Sequence, residues 1–508
     1  MSYETHQKVL NDVNQFMEEH NPHVRTSKWR EHYHFMMPTG WINDPCGLVC
    51  ADGTYHMFCQ HQPYKGTWGQ MFWGHSTSRD MIHWEKPEEG IAPSEDYDGW
   101  TGGGIFTGSA IYEDNEIKVF YTGCSEARQV QCMATSKDGV HFVKSEHNPI
   151  IPKAPEGTNP HDFRDPKVWK HGDWYYMVTG GTRGASALLD ESTYAKNGYG
   201  RVFLHRSQDL IHWEFVNDLV ESRGELGTML ECPNFFPMDD DTFVLIYSPM
   251  GMPQRKTIYL TGKFNYDIGK FNWNVMGEVD WGYDYYAPQV FTDHTGRTLM
   301  FGWIGSWPFM PWNHLKYDTS EDGWAGSISL PRVLTLCPDG KLKFEPAQEV
   351  KSLRTDCVRN YAGQILENGV PFFYDAGADN VHCEIEVELE MEPSVSQVVF
   401  ELRQVGENST RFILDRKAGE LVFDRSRAGN IENGVRRCNF ESAGENRVCI
   451  HAFLDSCSME IFADDGRTVM TNNVFSAEGE TRLSVTSLGG RTALTEFNTY
   501  GMDKVISW

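Results

Sequence analysis

The sequence predicts an all-β protein: a five-bladed β-propeller followed by a C-terminal antiparallel β-sandwich. Three observations carry this. One event recurs five times, roughly 60 residues apart: a short turn motif, an apolar strand, a tight turn and a second strand rich in aromatics. A Ser-x-Asp-x-x-x-aromatic signature recurs in step with it. Beyond residue 360 the pattern changes to alternating polar and apolar residues broken by turns.

The motifs of the first repeat are Asn43-Asp44-Pro45, Phe106-Thr107-Gly108-Ser109, Arg164-Asp165-Pro166, Glu231-Cys232-Pro233 and Tyr286-Ala287-Pro288. They are expected to lead into the strands Thr54–Gln60, Ile117–Thr122, Trp174–Thr179, Thr242–Tyr247 and Thr298–Trp303. Equivalent positions of propeller blades face one axis, so Asp44, Asp165 and Glu231 are expected at equivalent positions in one pocket. The second signature, at Ser78/Asp80/Trp84, Ser136/Asp138/Phe142 and Ser207/Asp209/Trp213, suits a hairpin at the outer edge of a blade. There Ser and Asp bind turn amides and the aromatic fills the gap between blades.

Four segments follow: an N-terminal helical extension (1–33), the propeller (34–335), a connector (336–359) and the sandwich (360–508). In the first, Val9, Leu10, Val13 and Phe16–Met17 lie along one side of a polar helix. In the last, 382–389 alternates cleanly, and Asp464-Asp465-Gly466 marks a turn. A chain of 508 residues is too long for one hydrophobic core.

With 71 acidic against 45 basic residues, the net charge is −26, a poor match for nucleic acid or an anionic membrane. No apolar run is long enough to span a bilayer, and no leader-like segment opens the chain. The 12 cysteines contain no C-x-x-C pair. A cytoplasmic protein with reduced thiols is expected. The 19 histidines show no ligand spacing, so neither metal nor cofactor is expected. A homo-oligomer remains open. The 16 tryptophans suit either core packing or platforms on which sugar faces stack.

Cleaving a glycosidic bond needs one carboxyl group that donates a proton and a second that attacks or activates water. Asp44, short and held between Asn43 and Pro45, suits a nucleophile. Glu231, after the apolar Met229-Leu230, suits a proton donor with a raised pKa. Asp165, beside Arg164, is expected to stay ionised and to steady positive charge at the anomeric carbon.

These motifs give the chain a resemblance to glycoside hydrolase family 32, the invertase, inulinase and levanase group, from about His34 to Trp508. Trp41-Ile42-Asn43-Asp44-Pro45 resembles the family's nucleophile motif, Phe163-Arg164-Asp165-Pro166 its transition-state stabiliser motif, and Glu231-Cys232-Pro233 its acid/base motif. Gly323-Trp324-Ala325-Gly326 with Ser329-Leu330-Pro331-Arg332 is similar to the end of its propeller, and 454–462 to a stretch of its sandwich. The resemblance implies a retaining β-fructofuranosidase acting on a small fructoside. It implies substrate contacts at Asn43, Gln60, Trp68, Phe106, Thr107, Arg164 and Trp303, with Asp284 on the leaving-group side. The chain departs from the family pattern at Cys46 (usually Asn), Cys59 (Tyr), Gln62 (Asn) and Thr107 (Ser), all expected to flank the pocket. A fructosyltransferase, a sucrose-6-phosphate hydrolase, a related arabinosidase and a non-catalytic sugar-binding protein stay open as alternatives.

Overall fold

The computed structural model describes residues 3–184, 198–252, 254–307, 319–429 and 434–508. Five antiparallel sheets stand around one axis. Their innermost strands are Gly40–Ala51, Gly104–Glu113, Thr158–His171, Met229–Pro237 and Tyr286–Thr292, in blades numbered I to V. Each innermost strand touches the next, and the fifth touches the first, so the ring is closed. The predicted aromatic-rich strands are the second strands of their blades, for example Thr54–Gln62 and Phe243–Met250.

The five motifs are not turns ahead of strands. All lie inside the innermost strands, at a register shift where that strand carries one more residue than its neighbour. These are β-bulges, which tolerate Pro and break the strict alternation of side chains. In blades III, IV and V the bulge puts Asp165 (φ 67°), Cys232 (φ 52°) and Ala287 (φ 47°) in the left-handed region, strained for residues with a side chain. Cys232, rather than Glu231, is therefore the counterpart of Asp165. The three acids come from neighbouring, not equivalent, positions.

Each Ser-x-Asp signature closes the hairpin after a blade's third strand. Asp80 Oδ1 accepts the Ile82 and His83 amides (3.0 and 2.8 Å), and its other oxygen binds His83 Nδ1 (2.7 Å). The pattern repeats at Asp138/His141 and Asp209/His212.

Ring closure uses residues from both ends of the propeller sequence. Trp324–Ala325 runs parallel to Gly40 and Trp41, and Ser327–Ile328 pairs with Trp303 and Ile304. Gly40 (φ 82°) is required there, because a Cβ would meet the Gln62 carbonyl at 2.1 Å. The N-terminal helix, Tyr3–Val24, buries Leu10, Val13 and Met17 and lies on blade I. Burying each such side chain stabilises by roughly 1.5–3 kcal/mol. Asn14 Oδ1 and His6 Nε2 accept the amides of Glu89 (2.8 Å) and Ala92 (3.0 Å), which covers blade I's outer edge.

Most of the expected connector is not a connector. Arg332–Leu336 and Leu342–Pro346 are outer strands of blade V, and Arg354–Asn360 already belongs to the sandwich. Their polar, turn-rich sequence reads as a link because each strand is partly exposed at a sheet edge. The sandwich pairs one sheet built on Cys383–Met391, Arg447–Leu454 and Thr492–Met502 with another built on Gln397–Val405, Asn408–Asp415 and Arg482–Leu488. Its inward-facing Leu389, Phe400, Leu414, Leu483 and Phe497 form the core.

Candidate active site

The bulges aim side chains from blades I, III and IV at one buried pocket on the axis. Asp44 is 5% exposed. Its Oδ1 accepts Asn43 Nδ2 (3.0 Å), and its Oδ2 accepts Gln60 Nε2 (3.3 Å), the Cys232 thiol (3.2 Å) and the Thr107 hydroxyl. Gln60 also donates to Thr107, and Trp41 Nε1 donates to Asn43 Oδ1 (2.9 Å). Asp165 Oδ2 accepts the Cys232 amide (2.8 Å), and the Asp165 amide donates to Thr122 Oγ1 (2.9 Å). Glu231 Oε1 accepts Arg164 Nη2 and Nε (2.8 and 3.1 Å), and Oε2 accepts the Tyr286 phenol (2.5 Å).

Burial raises the Asp44 pKa. Hydrogen bonds from Thr107, Asn43 and Cys232 pull it back, and the Glu231 charge adds to the rise. Asp165 is pushed up to about 7, mainly by burial. Arg164 opposes this, while Glu231 and Asp44 reinforce it. Arg164 still favours the charged form of Asp165, as expected, but burial outweighs it, and the guanidinium is hydrogen-bonded to Glu231, Gln129 and Asp162 rather than to Asp165. Nor is Glu231 in apolar surroundings, since an arginine and a phenol grip its carboxyl group. Met229 and Leu230 are buried in the core, with Leu230 packed among the apolar side chains of blades III and IV.

Residues 34–346 match the family model "Glycosyl hydrolases family 32 N-terminal domain", and residues 349–501 match "Glycosyl hydrolases family 32 C terminal". The chain belongs to glycosyl hydrolase family 32. Among its relatives is a Zymomonas mobilis sucrose-6-phosphate hydrolase, 34% identical over 470 residues, covering 87% of this chain and 85% of that one. An Escherichia coli raffinose invertase is 32% identical, covering 93% and 95%. A solved Bombyx mori family 32 β-fructofuranosidase superposes with a TM-score of 0.80 at 28% identity, over 99% of this chain and 100% of that one.

For this family 32 chain, the structure gathers Asn43, Gln60, Thr107 and Arg164 around the acids. Trp303 is buried beside Tyr286 and Trp41 (ring centroids 6.5 and 5.6 Å). Phe106 meets the half-exposed Trp68 edge to face at the rim (6.3 Å). Asp284 is a correction. It is fully buried where the propeller meets the sandwich, and its Oδ2 accepts Arg425 Nη1 (2.6 Å) and the Asn473 amide (2.7 Å). Residues 281–284 run against 469–472, which turns Asp284 to the sandwich instead of to a sugar.

The family departures divide. The Cys46 thiol donates to the Asp44 carbonyl (3.3 Å), so it supports the nucleophile's bulge. Thr107 keeps the hydroxyl a serine would offer. Gln62 accepts the Tyr64 amide (3.1 Å) in the loop that carries Trp68. Cys59 does not flank the pocket. It points into the core beside Met37 and Gly74, because strand alternation gives the axis to Gln60. Sequence reasoning missed Cys232 and Tyr286 as contacts of the acids. Both stand inside the quoted motifs, and alignment of the five bulges places Tyr286 in register with Glu231 and Arg164.

Proposed function

We propose that this family 32 hydrolase is a retaining β-fructofuranosidase that releases terminal non-reducing β-D-fructofuranosyl units from sucrose or short fructo-oligosaccharides. Asp44 attacks C2 of the terminal fructose while Glu231 protonates the departing oxygen. A covalent fructosyl-enzyme forms, and Glu231 then takes a proton from water, which releases fructose with its configuration retained. Asp165 hydrogen-bonds ring hydroxyls, and those bonds strengthen as positive charge develops.

The observation that carries this reading is a single residue. Cys232 gives its thiol to Asp44 and its amide to Asp165, and it is bonded in sequence to Glu231, so the three carboxyl groups are drawn together around one residue. Asn43, Gln60 and Thr107 hold the Asp44 carboxylate as a fixed nucleophile, and Arg164 with Tyr286 fixes the Glu231 carboxyl. The relatives named sucrose-6-phosphate hydrolases favour a second reading, in which the same acids act on the phosphorylated disaccharide. Twelve free cysteines suit a reducing compartment such as the cytoplasm.

The test is an initial-rate comparison of the purified protein on a panel of fructosides and arabinosides, with the anomer of the released sugar followed by NMR. Fructose released first as the β-anomer supports the reading. Inversion, arabinoside cleavage without fructoside cleavage, or longer oligosaccharides in place of free fructose would each reject it.

A further inference from the structure

Glu231 faces two demands that conflict. A proton donor must hold its proton until the leaving oxygen takes it. Yet Glu231 Oε1 accepts Arg164 Nη2 and Nε (2.8 and 3.1 Å), and a guanidinium this close favours the ionised carboxylate. A further acid stands at the other end of that guanidinium. Asp162, fully buried, accepts Arg164 Nη1 on Oδ1 (3.2 Å), and on Oδ2 it accepts Asn159 Nδ2 (2.8 Å) and the Thr182 hydroxyl (2.5 Å). Its two oxygens thus receive three donors, the bonding pattern of a carboxylate. Gln129 Oε1 (3.2 Å) and the His161 carbonyl (3.3 Å) accept the same Nη1, so one end of Arg164 is fixed and the other is presented to Glu231. Asp162 reaches this place because it lies two residues before Arg164 on the innermost strand of blade III, and strand alternation gives both one face.

We propose that Asp162 is a positioning residue for the acid/base: by sharing Arg164 it offsets the guanidinium's charge, so that Glu231 is clamped in one orientation yet keeps the proton it gives to the departing oxygen. The inference deepens the fructosidase reading and rests on it. In a buried site with an effective dielectric of about 20, a charge one guanidinium's width away shifts a protonation equilibrium by about 10-fold or more. Tyr286 from blade V donates to Glu231 Oε2 (2.5 Å), which favours the carboxylate as Arg164 does. Asp44, Asp165 and the Cys232 thiol also face Glu231, and negative charge on any of them opposes its ionisation. Asp44 gives up its charge when the covalent intermediate forms, and Asp165 titrates at about 7, whereas the buried Asp162 takes no part in bond making. Cys124 of blade II and Asp165 also lie near Arg164.

The test uses the full chain and three variants. Asp162→Asn removes the charge and keeps the size, Gln129→Glu adds a charge at another acceptor of Arg164 Nη1, and the double variant restores the balance. Two quantities are followed. One is the infrared band of the protonated Glu231 carboxyl during a pH titration, assigned by its loss in Glu231→Gln. The other is kcat/KM against pH on sucrose, whose alkaline limb reports loss of the donor's proton. Asp162→Asn is expected to move the infrared midpoint and the alkaline limb to lower pH by about one unit, and Gln129→Glu to move both to higher pH by a similar amount. The double variant should return near the wild type. Gln129→Glu decides by itself if Asp162→Asn does not fold, since misfolding produces no upward shift. On a fructoside with an activated leaving group, which needs no proton, Asp162→Asn should lower kcat/KM less than about 3-fold, whereas a displaced Arg164 would lower both substrates alike. Unmoved midpoints and limbs with fructoside turnover intact, or equal losses on both substrates, would overturn the inference and leave the hydrolase reading standing. Infrared shifts in a protein that cleaves no fructoside would uphold the shared charge and sink the hydrolase reading.

Discussion

Two regions of this molecule bury acids, and they treat them oppositely. At the junction of propeller and sandwich, carboxylates are matched by cations. Arg332 binds Asp280 (3.0 Å) and Glu460 (2.6 Å), and His34 lies between Asp455 (2.9 Å) and Glu460 (3.1 Å), all fully buried. Burial opposes charge on His34, but its two carboxylate partners outweigh that and raise its pKa to about 10. The same pairing overcomes burial and holds Asp455 and Glu460 below the ordinary carboxylate range. Glu31 is one exception. Raised to about 8 by burial, it accepts hydrogen bonds from the Cys457 amide and thiol. On the propeller axis Arg164 is bound to Glu231, and Asp44 and Asp165 are raised. Burial alone therefore does not decide how a carboxyl group behaves; what decides it is the set of charges and donors buried with it.

That contrast predicts opposite consequences for mutation. Asp44→Ala should lower kcat on fructosides by roughly 10³–10⁵-fold while leaving Tm unchanged or higher, because it removes a nucleophile that burial disfavours. Near-normal turnover would remove Asp44 from the mechanism. Glu231→Gln should cost about 10²–10⁴-fold on sucrose but spare the first step for fructosides with a good leaving group, which need no proton. Stopped-flow detection of the leaving group separates that step from the second.

At the junction the effect falls on stability. Arg332→Ala removes the cation that Asp280 and Glu460 share, leaving Glu460 with His34 (3.1 Å) and Asp280 with the more distant Lys256 (3.9 Å), and should destabilise by about 3–5 kcal/mol in urea unfolding. A loss below about 1 kcal/mol would mean that the network is not what joins the two domains.

Asp165→Asn sharpens the comparison through pH. Its folded pKa of about 7 lies above the ordinary value of ~3.9, so the folded protein holds this proton more tightly than the unfolded chain. The stability contributed by that proton is present below about pH 4 and is lost as pH rises through about 7. Asp165→Asn should therefore raise Tm by a few °C at pH 8 and leave it nearly unchanged at pH 4.5, while lowering kcat. A Tm gain confined to low pH would contradict the assignment. The smallest effect is expected from Tyr286→Phe, which removes one hydrogen bond to Glu231 and should lower kcat about 10-fold with KM little changed.

Much of this was legible in the chain because local chemistry repeats. The five bulge motifs and three Ser-x-Asp hairpins announce blades, and the acids come with their motifs. What was not legible depends on which way a strand faces and on what packs against it. Alternation gives Gln60 to the axis and Cys59 to the core, yet the two are adjacent in sequence. Asp284 looked like a leaving-group contact because it precedes Tyr285-Tyr286, but Arg425, 141 residues later, claims its carboxylate. The edge strands Leu342–Pro346 and Arg354–Asn360 read as a connector because the first is only five residues long and follows a turn, and the second is polar along most of its length. Cys232 and Tyr286 were in view as letters. Their roles needed the extra residue of the bulge, which re-aims consecutive side chains.

The most direct test is to trap the intermediate. Glu231→Gln, mixed with a fructoside carrying an activated leaving group and quenched early, is digested and its peptides are weighed. The account predicts the mass of one fructosyl unit on the peptide containing Asp44, absent when Asp44 is also replaced. An adduct on any other carboxyl group, or turnover with no adduct and inverted product, would contradict it.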